Sequence, residues 1–199
     1  TDKDPVVVVK STVVPGTCEK LSQEFPNLKI VFNPEFLTER NARLDFINTS
    51  RIVLGGDDER ALSLVEELYR KRFPTTTIIK TDFASAQLIK YIANCFFATK
   101  VSFMNEMKQV SDAVGADWSD VMHGFVSDGR VGNSHLDVPG HDGDRGFGGK
   151  CFPKDINAMI TRCEEVGVKP TLLKAAWDKN MEVRENHDWV NIKGAVSDE

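Results

Sequence analysis

The sequence predicts an α/β fold in which the end of a parallel sheet is followed by a long connecting helix and an all-helical region. Up to about residue 81, short runs rich in β-branched residues alternate with helical stretches. From about residue 82 onward only helical patterns follow. Alternating strands and helices are typical of a mostly parallel sheet covered by helices. We therefore expect an α/β domain over 1–81 and a helical domain over 82–199.

Four strand-like runs precede this boundary, namely VVVVK at 6–10, LKIVF at 28–32, RIVLGG at 51–56 and TTTIIKT at 75–81. Helices are expected over 17–25 and from Asp57 or Asp58 to about Phe73. The segment LGGDDER follows a strand and opens a helix, but it lacks the GxGxxG spacing of a dinucleotide-binding turn. A capped turn explains it better.

The long helix is expected from about residue 82 to 114, a stretch without proline or glycine. Its apolar residues recur mainly in steps of three and four, as an amphipathic helix requires; they are Ile89, Ile92, Phe96, Phe103, Met107, Val110 and Val114. Further helices are expected over 117–126, 153–166 and 171–186. Residues 127–150, rich in Gly, Asp and Ser, are expected to form a loop, and a loop of this length is usually functional or disordered.

Composition excludes several classes of function. Hydrophobic residues make up 41% and charged residues 28%, as is common for a soluble globular protein. A net charge of −5 argues against nucleic acid or an anionic membrane as partner. The four cysteines lie far apart without a CxxC pair, which favours free thiols in a reducing cytoplasm. No histidine pair has metal-ligand spacing on a helix, so no metal site is expected.

The stretch GFGGKCFPKD at 146–155 is the first candidate for chemistry. Pro153 suits the first turn of a helix, which would place Asp155 in that turn and Cys151 just ahead of it. The helix dipole favours a thiolate there. The glycines would let the backbone approach a ligand closely or adopt positive φ. The alternative is a small buried hydrophobe, and this is our expectation for the remaining cysteines, Cys18, Cys95 and Cys163.

Four further polar residues are weaker candidates. Lys90 and Asn94 share a helix face but lie off the apolar stripe, so solvent exposure is the default expectation. A lysine buried in a cleft could instead act as an acid or base. Glu35 and Thr12 follow predicted strands, at the edge where α/β sheets bind ligands. Taken alone, Glu35 suits a capping or surface carboxylate, and the Thr12 hydroxyl suits a turn.

Together these signals resemble one family. The segments KSTVVPGT, NPEFLTE, LIKYIANCFFATKVSFMNE and GFGGKCFPKD, in this order, resemble the nucleotide-sugar 6-dehydrogenases of the UDP-glucose and GDP-mannose dehydrogenase family. The resemblance covers nearly the whole chain. It implies the end of a Rossmann-like NAD-binding domain, a connecting helix and a helical dimerisation domain.

The resemblance implies roles for the candidate residues. Cys151 matches the nucleophile that captures an aldehyde as a thiohemiacetal, which is then oxidised to a thioester. Lys90 and Asp155 match residues assigned to proton transfer and to the handling of the oxyanion or water. Asn94 matches a residue that holds the reacting oxygen.

Glu35 matches the carboxylate associated with thioester hydrolysis, and Thr12 matches its water partner. Contacts with NAD are expected from Thr12, Glu35 and Cys151. The resemblance implies contacts with the sugar nucleotide from Phe36, Leu37, Glu39, Arg130, Phe147 and Gly148. The tract at 134–145 is longer than is usual in the family, which makes the match of Arg130 the least direct.

The resemblance also exposes a difference. Family members begin with a GxGxxG strand-turn unit and end with a second α/β domain, and neither occurs in the 199 residues. We expect a truncated or split NAD-dependent enzyme, completed by another segment or a separate chain, that oxidises UDP-glucose. GDP-mannose is the alternative substrate, and a non-catalytic binding module is the alternative function. The wide stripe of the long helix, through which the family pairs, predicts a homodimer.

Overall fold

The computed structural model of the chain describes residues 5–195. These residues form two compact units, one reaching to Ile92 and the other beginning at Ala93. The predicted α/β class is confirmed. The elements are, in chain order, β1 (Val6–Val9), α1 (Thr17–Glu24), β2 (Lys29–Phe32), a 3-10 helix (Glu39–Asn41), α2 (Ala42–Ile47), β3 (Arg51–Gly55), α3 (Glu59–Arg70), β4 (Thr77–Thr81), α4 (Phe83–Val114), α5 (Trp118–Val126), α6 (Cys151–Glu165), α7 (Thr171–Val183) and a 3-10 helix (Asp188–Asn191).

The sheet of the first unit has the strand order β1-β2-β3-β4. The β1–β2 and β3–β4 pairs are parallel, as predicted, whereas β2 and β3 run antiparallel and meet at Phe32 and Gly55. The connection between β2 and β3 carries only α2 and a 3-10 helix, which the sequence analysis did not anticipate.

Both faces of the sheet are covered, because alternate residues of each strand point to opposite sides. On one face, Val31 and Leu54 pack with Leu62 and Val65 of α3. On the other face, the sheet packs against α1 and the first turns of α4, through Cys18, Ile30, Phe32, Val53, Phe83 and Ala86. A side chain at Gly55 would overlap with Ala86, so glycine is required where α4 crosses β3.

Helix ends follow the predicted signals. The Asp58 side chain accepts a hydrogen bond from the Ala61 amide at 2.9 Å, which confirms the capped turn before α3. Asp82 accepts from the backbone N–H of Ser85 at 2.7 Å and so begins α4 where the sequence pattern changes. Gly167 has a φ of 78° after α6, and α7 begins directly after Pro170. Within the described residues, no helix is long and apolar enough to cross a membrane.

The second unit packs the rest of α4 with α5, α6 and α7. One cluster joins Ala98 of α4 to Ile156 of α6 and Ala176 of α7. A second cluster joins Met104 to Leu136 and Val138, with Trp118 and Met122 of α5 packed against them. The tract at 134–145 is therefore packed against α4 and α5, although its sequence shows no periodicity.

The apolar stripe of α4 is largely exposed, and the buried face of the helix is partly polar. Phe96, Phe103 and Val110 are 61%, 52% and 49% exposed. The buried polar residues of α4 are Gln87, Lys90, Asn94, Ser102, Asn105 and Ser111. The expectation that Lys90 and Asn94 face solvent is therefore wrong. Lys90 lies seven residues after the buried Phe83 and so falls on the same helix face.

Candidate active site

The candidate residues fall into two sets, one in each unit. The first unit holds Thr12, Glu35, Phe36, Leu37 and Lys90, and the second holds Asn94, Arg130, Phe147, Gly148, Cys151 and Asp155. Glu39 belongs to a 3-10 helix, and its side chain lies outside the described part of the structure.

An ion pair links Lys90 to Glu35 in the first unit. The Lys90 ammonium lies 3.1 Å from Glu35 Oε1, and its side chain is only 4% exposed, against 33% for Glu35. Glu35 Oε2 also accepts a hydrogen bond from the Leu37 amide at 2.6 Å. Glu35 therefore caps its own turn, as one interpretation of the sequence proposed, and also neutralises a buried charge.

The ring of Phe36 lies beside the same ammonium. Its centroid is 5.6 Å from Lys90 Nζ and 4.0 Å from the guanidinium carbon of Arg51. Both distances are within the range of cation–π attraction. Leu37 is half-buried directly after it. Phe36 and Leu37 thus flank the Glu35–Lys90 pair with apolar surface.

The turn that carries Glu35 is anchored by Asn33, a residue that the sequence analysis missed. Asn33 is 2% exposed and donates to the Val53 carbonyl at 2.8 Å. Its oxygen accepts from Lys10 Nζ at 2.6 Å and from the Tyr69 hydroxyl. The signal available in the sequence was an amide residue directly after a buried strand. Thr12 lies half-buried two residues beyond Lys10, where the chain leaves β1.

In the second unit, Asn94 pairs with Asp155. Asn94 Nδ2 donates to Asp155 Oδ2 at 2.5 Å, and Asp155 is 1% exposed. The other carboxylate oxygen of Asp155 pairs with Lys154. Cys95 Sγ lies 3.8 Å from the backbone oxygen of Asp155. Each oxygen of this buried carboxylate therefore has a polar partner.

Cys151 is the first residue of α6 and is exposed. The expectation that the helix begins near Pro153 with Cys151 ahead of it is wrong by about two residues, because Pro is accepted anywhere in the first turn. Asp155 consequently lies one full turn beyond Cys151. The position still places the sulfur at the positive end of the helix dipole, where a thiolate is favoured.

Two other thiols are in opposite surroundings. Burial raises the pKa of Cys18 to about 11, with a smaller contribution from Glu19. Burial likewise raises the pKa of Cys95 to about 12, with smaller contributions from Asp155 and Cys163. Both residues therefore follow the expectation for structural cysteines. Cys163, in the last turns of α6, is half-buried.

These surroundings predict the order in which the thiols react. With brief, limiting iodoacetamide at neutral pH, we expect Cys151 to be labelled first and Cys163 second. Cys18 and Cys95 should react only after unfolding, since almost no thiolate is present at either site. Mass spectrometry of the tryptic peptides measures the order. Label on Cys163 or Cys18 ahead of Cys151 would contradict the prediction.

The remaining candidates of the second unit are Arg130, Phe147 and Gly148. Arg130 is 89% exposed in its side chain and pairs with Asp128 through Nε at 2.9 Å. Phe147 is 4% exposed and packs its ring in the core, whereas Gly148 is half-buried. Among residues 5–195, no three His, Cys, Asp or Glu side chains are grouped so that they could hold a metal ion.

Polar side chains beyond the strands of an α/β unit are the usual place for a nucleotide ligand, and an exposed cysteine at a helix start can act as a covalent nucleophile, so the two units suit a nucleotide-dependent enzyme. Residues 84–182 match the family model of the UDP-glucose/GDP-mannose dehydrogenase family, central domain. Residues 1–73 match the model of the NAD binding domain of the same family. The chain belongs to the UDP-glucose/GDP-mannose dehydrogenase family.

Individual relatives agree with this assignment. The chain is 39% identical over 181 residues to UDP-glucose 6-dehydrogenase YwqF of Bacillus subtilis, a match that covers 87% of this chain and 39% of that protein. Among solved structures, a UDP-glucose dehydrogenase from Pyrobaculum islandicum matches with a TM-score of 0.79 and 34% identity. That match covers 90% of this chain and 42% of the other.

A GDP-mannose dehydrogenase from Pseudomonas aeruginosa matches with a TM-score of 0.58 and 31% identity, covering 92% of this chain and 43% of the other. The chain thus spans about 40% of the length of the relatives that it matches.

Proposed function

We propose that this chain is part of an NAD-dependent dehydrogenase that oxidises the 6-CH2OH group of UDP-glucose to a carboxylate. The observation that carries the proposal is Cys151, an exposed thiol at the first residue of α6. A nucleophile at this position can hold an aldehyde covalently between two oxidations. The family assignment and the UDP-glucose 6-dehydrogenase relatives supply the substrate class.

The first oxidation needs a group that takes the proton of the sugar hydroxyl. Lys90 is the candidate, because it is buried: as the neutral amine it would accept the proton and become the ammonium that pairs with Glu35. Asn94 and Asp155 are candidates to orient the reacting oxygen. A positive charge and fixed donors would stabilise the alkoxide as it forms. NAD, when bound, accepts the hydride in each of the two oxidations.

Cys151 then acts on the aldehyde. Its thiolate forms a bond to the aldehyde carbon, and the resulting oxyanion takes a proton, which gives a thiohemiacetal. Loss of that proton and of a second hydride leaves a thioester. Water adds to the thioester carbon, the carbon–sulfur bond breaks, and the carboxylate is released with the thiolate restored. Glu35 and Thr12 are the candidates to orient that water.

The residues of the first unit would bind only part of NAD. Lys10, Thr12 and Glu35 lie where β1 and β2 end, and ligands of α/β sheets bind beyond such strand ends. Thr12 and Glu35 would hold the end of NAD that reacts. No GxGxxG turn for the pyrophosphate occurs in the 199 residues. A further segment or a separate chain would therefore supply that part, as it would the rest of the sugar-nucleotide site.

A segment replacement tests the proposal. Residues 1–199 would replace the matching segment of the Bacillus subtilis UDP-glucose 6-dehydrogenase, to which they are 39% identical. We expect NADH to form with UDP-glucose and the product to be the acid. The alternative substrate, GDP-mannose, is tested by the same replacement in the Pseudomonas aeruginosa GDP-mannose dehydrogenase, to which the chain is 31% identical; activity in that enzyme alone would favour it. A folded replacement that oxidises neither would support the non-catalytic alternative.

The 199-residue chain alone is expected to form no NADH from UDP-glucose and NAD. Without a phosphate-binding glycine turn, the pyrophosphate lacks the helix N-terminus that usually binds it. The purified chain would be assayed by NADH absorbance beside the segment-replaced enzyme. A substrate-dependent rate from the chain alone would show that it contains a cofactor site of another kind.

We also propose that the chain forms a homodimer through α4 and α5. Phe103, Met107 and Val110 line an apolar groove of about 340 Å³ together with Val121 and Phe125 of α5. An exposed apolar surface of this kind is typical of protein–protein contacts. Its length along α4 suits the same surface of a second copy, related by a twofold axis.

Sedimentation velocity tests this pairing. The unaltered chain should sediment as a dimer, and Phe103→Asp should shift it to a monomer, because a carboxylate would be buried at the centre of the contact. Leu64→Asp is the matched control, since Leu64 of α3 is similarly exposed but lies in the other unit. A monomeric unaltered chain, or a dimeric Phe103→Asp variant, would contradict the proposal. The expected cytoplasmic location stays a prediction.

A further inference from the structure

The glycine loop ahead of Cys151 is held by side chains from the end of α7 and from the residues that follow it. Asn180 is fully buried, and it bonds to both polar groups of one residue in the loop. Its Oδ1 accepts from the Phe147 amide at 2.6 Å, and its Nδ2 donates to the Phe147 carbonyl at 3.0 Å. This reciprocal pair fixes both peptide groups that flank Phe147, as the paired residue of a neighbouring antiparallel strand would.

Arg184, the residue directly after α7, is a buried cation with several partners. Its guanidinium lies 2.8 Å from Asp142 Oδ2 and 3.5 Å from Asp188 Oδ1. It also donates to the Arg145 carbonyl at 3.3 Å. Burial alone would raise the pKa of Asp142, but the bond from Arg184 and a backbone N–H lower it below the usual 3.8. Arg184 therefore anchors the start of the loop.

Asp188 completes the contact on the side nearest to the cysteine. Both of its carboxylate oxygens lie 3.1 Å from the Gly149 amide nitrogen, which donates to them. Gly149 has a φ of 71° and precedes Cys151 by two residues. The bond therefore acts directly on the backbone that leads into α6.

This packing explains why two positions of the loop are occupied by glycine. A side chain at Gly146 would overlap with Asn180 Oδ1, and one at Gly148 would overlap with Arg184 and Asp188. The sequence-based expectation was that these glycines let the backbone approach a ligand closely or adopt positive φ, and Gly146 does have a φ of 68°. The space beside Gly146 and Gly148 is taken by Asn180 of α7 and by Arg184 and Asp188, which follow that helix.

We propose that Asn180, Arg184 and Asp188 are positioning residues, which hold the glycine loop so that Cys151 stays at the first turn of α6. The inference deepens the proposed function, because it takes Cys151 to be the nucleophile. The three residues act through the backbone of the loop and touch no reacting atom.

Two variants of Asp188 isolate the hydrogen bond from the charge. Asp188→Ala and Asp188→Asn both remove the carboxylate charge, but only the asparagine keeps an oxygen that accepts from Gly149. In the alanine variant the loop would be released, and Cys151 would lose the helix dipole that favours its thiolate. We expect iodoacetamide at pH 7 to label Cys151 about fivefold more slowly in Asp188→Ala than in Asp188→Asn, as the loss of one hydrogen bond predicts.

Two further measurements on the 199-residue chain complete the test. They are the pH profile of Cys151 labelling and the amide hydrogen exchange of the 146–151 peptide. The midpoint of the Cys151 profile should rise, and exchange should quicken, in Asp188→Ala but not in Asp188→Asn. Asn180→Leu, which has a similar volume, should behave like Asp188→Ala. Ser102→Ala is the control, because it removes a buried bond to the Ala176 carbonyl without touching the loop; its lower Tm should leave the profile unchanged.

Equal labelling and equal exchange in Asp188→Ala and Asp188→Asn would overturn the inference, as would a profile that shifts in Ser102→Ala by the same amount. The proposed function fails separately. If Cys151 of the unaltered chain is not labelled first, its role as nucleophile is lost, while the exchange measurement still decides whether α7 positions the loop.

Discussion

Changing Cys151 to alanine in the segment-replaced dehydrogenase should lower the rate of acid formation from UDP-glucose by roughly a thousandfold or more, as is usual when a covalent nucleophile is removed. Without the sulfur, the aldehyde cannot be held as a thiohemiacetal for the second hydride transfer. The first oxidation needs no thiol, so a small amount of aldehyde and NADH can still form. Product analysis by mass spectrometry, together with NADH absorbance, distinguishes aldehyde from acid.

Cys163→Ala is the matched control for this change. Cys163 belongs to the same helix, α6, but lies in its last turns and is half-buried. Its removal should leave the rate within about twofold, since surface-side substitutions away from a site have small effects. Acid formation at an unreduced rate by the Cys151→Ala variant would remove the chemical basis of the proposed mechanism.

Much of the fold follows from local signals in the sequence. The four strands are runs of β-branched and apolar residues, and Asp58 caps α3 where the pattern predicted a capped turn. The glycine and proline between α6 and α7 end one helix and begin the next. These features depend on residues close to one another in the chain. The same is true of Cys151, whose place at a helix start was predicted to within about two residues.

The polar face of α4 could not be predicted in this way. Hydrophobic periodicity assigns the apolar side of a helix to the core, yet Phe96 and Phe103 are exposed while Lys90 and Asn94 are buried. Burial of Lys90 and Asn94 is possible because Glu35 and Asp155 satisfy them. Those partners lie 55 and 61 residues away in the chain. No local pattern reports such a pair.

The contact between α7 and the glycine loop also joins residues that are far apart in the chain. Asn180 looks like an ordinary polar residue of a surface helix, and its partner Phe147 is 33 residues earlier. The glycines at 146 and 148 did signal a close approach, but their spacing does not say what approaches. A ligand and a packed helix require the same absence of a side chain.

The pair of Lys90 and Glu35 should respond unequally to the loss of either member. Glu35→Gln leaves the Lys90 ammonium, 4% exposed, without a charged partner. Breaking a buried ion pair costs about 3–5 kcal/mol, and the one-third exposure of Glu35 reduces this to roughly 1–3 kcal/mol in the free energy of unfolding. Lys90→Met leaves Glu35 hydrated and replaces the buried charge with an apolar chain. It should cost less than about 1 kcal/mol.

Hydrogen exchange of the β2 and β3 peptides measures this stability in the first unit. Tryptophan fluorescence serves as the internal control, because Trp118, Trp177 and Trp189 all belong to the second unit. The unfolding transition that they report should be unchanged in these variants. The double variant should recover most of the stability lost in Glu35→Gln, since no unpaired buried charge remains. Equal losses in the two single variants would contradict the asymmetry.

Changing Lys90 should cost little stability but much activity, and this difference separates a structural role of the residue from a chemical one. In the segment-replaced dehydrogenase, Lys90→Met should lower kcat by about 10²- to 10⁴-fold, because general acid–base catalysis is worth that much. Arginine at position 90 keeps the charge and the pair with Glu35 but cannot give up its proton. If Lys90 takes the proton from the sugar hydroxyl, Lys90→Arg should be as slow as Lys90→Met. If the lysine only balances Glu35 and stabilises the alkoxide by its charge, Lys90→Arg should retain most of the rate, and proton abstraction would have to be assigned to another group.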